Sequence, residues 1–173
     1  MPIHIRIAAL LAALLITAGA AGPASAHSVK AGALELTDLW TRATPPKAPT
    51  AGGYLTITNT GTEPDRLTGA ASPQADLGEL HEMSVKDGVM TMRPLGDGVE
   101  IPAGASVTLA PSGLHIMFIS PKEPFVEGSK VPVVLPFEKA GKVETFLHVF
   151  GIGAPGPGGG KAGENHNEHG ATQ

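Results

Sequence analysis

The sequence predicts an all-β domain, a sandwich or small barrel, and three observations carry that reading. Past residue 26, short apolar stretches alternate with turn residues; no segment sustains a 3.6-residue apolar period; and turn-forming residues recur at close intervals. Strands are expected over 34–39, 53–59, 66–71, 77–85, 89–94, 106–109, 114–119, 131–137 and 143–150. Between them stand Asn59-Thr60-Gly61, Asp87-Gly88, Gly96-Asp97-Gly98, Pro102-Ala103-Gly104 and Pro111-Ser112-Gly113, each rich in residues that favour chain reversal.

Residues 1–26 read as a secretion signal. Arg6 precedes an apolar run from Ile7 to Ala21, and Pro23 and the small-residue site Ala24-Ser25-Ala26 follow it. The run is shorter than the ~20 apolar residues of a spanning helix. Export to the periplasm with cleavage is therefore expected, with no stable membrane insertion afterwards. The remainder suits one domain over 27–152 and a tail over 153–173. That tail opens on Gly153-Ala154-Pro155-Gly156-Pro157, continues polar to Gln173, and offers too little apolar surface to fold, so disorder is expected.

Without the leader, eleven Lys and Arg face sixteen Asp and Glu, a net charge of −5 with histidine neutral. A mildly acidic surface argues against nucleic acid or an anionic membrane as partner. The absence of cysteine excludes more: blue-copper and thiolate-bridged copper centres, thiol redox chemistry, and lipid attachment through a cysteine all need a thiol.

The methionines carry the chemistry. Apart from Met1 they are Met83, Met90, Met92 and Met117, all within 35 residues; His115 lies inside that stretch and His81 two residues before it. Core methionines would be spread over all strands, yet those over 106–109 and 131–150 use Val, Leu and Phe instead. Thioether and imidazole donors together suit Cu(I) better than hard cations or zinc. Strand period two puts His115 with Met117, His81 with Met83, and Met90 with Met92 on common faces. A two-residue Asp87-Gly88 turn would set Met83 opposite Met92, and a four-residue loop would set His81 opposite Met92; both registers remain open in the sequence.

Leu80-His81-Glu82-Met83, Asp87 to Pro94, Ile101-Pro102-Ala103-Gly104 and Gly113-Leu114-His115-Ile116-Met117 resemble the PCuAC family of periplasmic copper chaperones. That family's signature is a His, ten residues, a Met, about twenty-one residues and His-x-Met; here ten residues separate His81 from Met92 and 22 separate Met92 from His115. Trp40 to Pro45, Gly52 to Gly61, Val131-Pro132 and Phe137 to Gly141 extend the likeness over most of 34–150. The resemblance implies a cupredoxin-like Greek-key β-barrel or sandwich in which His81, Met92, His115 and Met117 bind one Cu(I), with Met83 and Met90 as neighbours or alternate ligands. It implies a carrier, not an enzyme, with the Cu(A)-bearing subunit of cytochrome c oxidase as acceptor and a Sco-type thiol protein as a further partner. Trp40 and Arg42 read as core and ion-pair residues.

Two other readings compete. A sequestration or resistance protein would use the same ligands without a dedicated client. A histidine-brace copper enzyme would use the free amine and imidazole of His27 with a second histidine, His148 being the nearest on a strand. His27, with His166 and His169 in the tail, is also the candidate for a second site that takes Cu(II), which prefers nitrogen and oxygen donors. The processing reading has a direct check: the exported protein should have the intact mass of a chain beginning at His27, and a mass that retains residues 1–26 would overturn it.

Overall fold

The structure, a computed structural model, describes residues 28–157. It contains eleven strands among those residues: β1 (Val29–Ala31), β2 (Leu34–Arg42), β3 (Thr50–Asn59), β4 (Asp65–Leu67), β5 (Ala75–Lys86), β6 (Val89–Pro94), β7 (Val99–Ile101), β8 (Ser106–Leu109), β9 (Leu114–Pro121), β10 (Lys130–Phe137) and β11 (Gly141–Phe150). The fold is all-β and cupredoxin-like. Its sheet runs β6-β5-β9-β3-β2-β11-β10-β4-β7, with β1 on β2 and β8 on β3. Among the described residues only β11 and β2 pair in parallel, through His148–Trp40, Val149–Thr41 and Phe150–Arg42. The hydrogen-bonded path does not close, so of the two expected forms the closed barrel is not the one that forms.

Alternation drives the core. In β3 and β10 every second residue is buried, and Leu36, Ile57, Leu67, Ile101, Ile116, Phe118, Leu135 and Leu147 meet in one cluster. Each such side chain contributes roughly 1.5–3 kcal/mol on burial. Phe118 and Phe125 meet edge to face at 6.1 Å. On the opposite face of the sheet a smaller cluster gathers Trp40, Tyr54, Phe150 and Ala154.

Three details depart from the sequence reading. The strand expected over 66–71 ends at Leu67: Thr68 donates to the Pro136 carbonyl, and only at Ala71 does the chain pair again, in an isolated antiparallel bridge in which Ala71 and Val134 each donate to the other. Arg42, expected in an ion pair, donates Nε–H to the Ala154 carbonyl at 2.8 Å and lies over the Trp40 ring. Ala154, in the segment expected to open the tail, is buried against Trp40 and Tyr54. Residues 158–173 lie outside the described residues.

Asp65 ties β4 to the β10–β11 turn. Its carboxylate accepts backbone N–H bonds from Arg66 at 2.7 Å, Lys139 at 2.9 Å and Ala140 at 3.0 Å. Burial alone would raise its pKa, but these donors and the nearby Lys139 charge hold it below the ordinary carboxylate value. A lowered folded pKa stabilises the fold above the unfolded value, about 3.9, and that contribution is lost as pH falls through the folded pKa. Asp65→Ala should cost about 2–3 kcal/mol near neutral pH, since it strands three donors. Urea melts carried down to about pH 3 should show this cost shrinking as Asp65 protonates in the parent.

Candidate metal centre

β5 is flanked by β9 on one side and β6 on the other, and the two registers decide which side chains share a face. His81 stands opposite His115, and Glu79 opposite Met117. Met83 stands opposite Met92, Val85 opposite Met90, and His81 opposite Pro94. Residues two apart on a strand, or directly opposite across a pair, share a face. All four methionines, both histidines and Glu79 therefore lie on one face, while Leu80, Ile116 and Phe118 enter the core from the other.

The turn sets this register. Asp87 and Gly88 have φ of 52° and 78°, the two positive values of a type I′ turn. The two-residue loop is the one that forms, and the alternative pairing of His81 with Met92 does not. On β3, Gly52 pairs with Met117 and Gly53 with Ile116. A Cβ on Gly53 would sit 2.9 Å from Phe118 and Leu147, and a Cβ on Gly52 would collide with the Tyr54 hydroxyl. Two adjacent glycines thus let the core close on one face and let the Tyr54 ring lie along the other, at the position next to Met117.

The histidines are held in complementary tautomers. His81 and His115 are each 7% exposed, with ring centroids 5.9 Å apart. His81 Nε2 is 2.8 Å from Glu79 Oε2; a carboxylate only accepts, so Nε2 carries a proton, and in the neutral ring Nδ1 carries the lone pair. His115 Nδ1 donates to the Gly113 carbonyl at 2.9 Å, which leaves its lone pair on Nε2. His81 Nδ1 is buried and has no hydrogen-bond partner. A buried acceptor without a donor is costly, and a bound cation is one way to relieve it.

The methionines differ in depth. Met83 and Met117 are half-buried, whereas Met92 is 45% and Met90 64% exposed. Every residue of β6 is exposed, so Met90 and Met92 are not core filler. His115 and Met117 lie directly beside β5. Met92 is separated from β9 by β5, and Met83 occupies the position between Met92 and the histidine pair. Among the described residues no group of three or more His, Cys, Asp or Glu is placed to hold a metal ion; the side chains that share this face are imidazoles and thioethers with Glu79, and thioethers are soft donors.

His148 stands on β11 with its ring edge-on to Phe146 at 5.1 Å. His27, His166 and His169 lie outside the described residues. Glu79 is the residue that the sequence reading missed; the period-two rule applied backwards from His81 places it on this face.

Residues 34–149 match the family described as "Putative lipoprotein LpqE-like". The chain belongs to the LpqE-like family. A relative, "Putative lipoprotein Lxx21020" of Leifsonia xyli subsp. xyli, is 35% identical over 122 residues, 66% of this chain and 69% of its own length. Among solved structures, the copper-bound PCuAC domain from PmoF2 is similar with a TM-score of 0.63 and 26% identity, over 72% of this chain and 98% of that domain. The solution structure of CuI-DR1885 from Deinococcus radiodurans is similar with a TM-score of 0.55 and 26% identity, over 73% of this chain and 83% of its own. This LpqE-like chain thus has a PCuAC-type fold. It also has no cysteine, so these 173 residues offer no thiol for lipid attachment.

Because Glu79 fixes the His81 tautomer, its removal should weaken metal binding without unfolding the protein. Glu79→Ala is expected to lower Cu(I) affinity by about 10–100-fold in chelator competition, the usual cost of losing a carboxylate behind a ligating histidine. Unchanged affinity would exclude the assigned orientation.

Proposed function

We propose that this chain is an exported periplasmic metallochaperone, not an enzyme, that carries one Cu(I) on His81, Met92, His115 and Met117 and delivers it to the Cu(A) centre of cytochrome c oxidase. The observation that carries the reading is the buried, unpartnered His81 Nδ1 on a face shared with His115 and four thioethers. The similarity to a copper-bound PCuAC domain and to CuI-DR1885 supports copper as the cargo.

The chemistry favours a carrier. Two neutral imidazoles and two thioethers leave Cu(I) its positive charge, and no thiolate of the protein competes to keep it. Transfer to an acceptor that supplies thiolates is then downhill. A Sco-type thiol protein fits the same handover scheme as a further partner.

The decisive experiment mixes the loaded mature protein with the apo Cu(A) domain and follows where copper resides. Transfer is expected; retention by the carrier would favour a sequestration role instead. Met117→Leu conserves volume and removes sulfur, so Cu(I) affinity should fall by about tenfold or more, equivalent to at least 1.4 kcal/mol, with the fold intact. If neither Met117→Leu nor His81→Ala changes affinity, the ligand set is wrong.

A further inference from the structure

Beyond the histidine site, the β5–β6 hairpin has a face of its own. Its two sides are chemically opposite. On one, Arg93 Nε donates to Glu82 at 2.9 Å, and Ser84 and Thr91 hydroxyls hydrogen-bond at 2.9 Å, so the polar side chains satisfy one another. On the other, between the His81–Pro94 pair and the turn, stand Met83, Met92, Met90 and Val85. The donor atoms on that stretch of face are three thioethers.

Their spacing suits a single ion. Counting from the two-residue turn, Met83 and Met92 form a non-hydrogen-bonded pair, in which Cα atoms approach to about 4.5 Å. The Met83 N–H agrees with this, since it points away from β6 and donates to the Gly113 carbonyl of the β9 side at 3.0 Å. Met90 precedes Met92 by two residues on β6 and lies diagonal to Met83, at roughly 7–8 Å between Cα atoms. Three flexible side chains at those separations can converge their sulfurs on one soft cation.

Folding does not account for these residues. Met90 is 64% and Met92 45% exposed on an edge strand that buries nothing, a place where charged residues would solubilise the edge at no cost to the core. We propose that Met83, Met90 and Met92 form a second, thioether-only Cu(I) site at the exposed end of the hairpin, adjoining the histidine site and sharing Met92 with it. The proposal rests on the reading of the chain as a Cu(I) carrier. An incoming or departing ion would meet Met90 first and exchange thioethers one at a time, so that it is never without a sulfur ligand between solvent and the histidines.

Methionine-methyl nuclear magnetic resonance tests this on the full mature chain, titrated with Cu(I) under anaerobic conditions. The first equivalent should move the Met117 and Met92 methyls, and the second should move Met83 and Met90 together and Met92 again. Met90→Leu should abolish the second response at Met83 while leaving the Met117 response intact. A Met90 methyl that stays unmoved through two equivalents would overturn the proposal, as would a second response that persists unchanged in Met90→Leu. If Met83, Met90 and Met92 respond but Met117 does not, the hairpin site stands and the histidine-site ligand set falls.

Discussion

The candidate site depends on the register of one strand, β5, held between β9 and β6. Pairing with β9 brings His81 against His115, and pairing with β6 brings Met83 against Met92. A slip of one residue on either side would turn the donors of that strand toward the core and Leu80 toward solvent. The register is secured at both ends: by the type I′ turn at Asp87-Gly88, and by Leu80, Ile116 and Phe118, which bury only if the alternation is kept. The hydrophobic effect thus fixes ligand geometry from the far side of the sheet, and donors need little contact among themselves to stay in place.

Much of this was legible in the sequence. Nine expected strands correspond to β2 through β6 and β8 through β11, and the clustering of His81, Met83, Met90, Met92, His115 and Met117 on one face follows from period two once those strands pair. β1 and β7, three residues each, are too short for alternation to stand out. Other features depend on tertiary contacts that no local pattern encodes. Glu79 reads as an ordinary surface acid until β5 is seen to carry it beside His81, and Arg42 finds a carbonyl, not a carboxylate, because Ala154 folds back over Trp40. The choice between hairpin loops was also undetermined, since Val85 to Gly88 permits either length; the positive φ of both Asp87 and Gly88 belongs to the shorter one.

The two imidazoles show how hydrogen bonds on one ring nitrogen orient the other. Glu79 and the Gly113 carbonyl each take one N–H, and each thereby leaves a lone pair on the other nitrogen. For His115 the cost is small, because the acceptor is backbone of its own strand approach. For His81 the cost is larger, since its free Nδ1 is sealed from water with no donor to meet it. A protein that keeps such an atom without a partner gives up stability that a well-packed apolar side chain would have supplied. That sacrifice fits the proposed role, in which the site is filled for part of the time.

The proposed carrier role places opposite demands, holding and releasing, on the same face, and its graded burial suits both. At the histidine row, exclusion of water strengthens ligand contacts and favours retention. Along the hairpin toward Met90, exposure rises and the donors become weaker, neutral and solvent-accessible. A thiolate anywhere on this face would flatten that gradient into a trap, because its charge would bind Cu(I) more tightly than any later thioether could compete with. On the proposed carrier reading, the absence of cysteine and the clustered methionines belong together: neutral donors would hold the ion without trapping it, and the gradient of burial would give its transfer a direction.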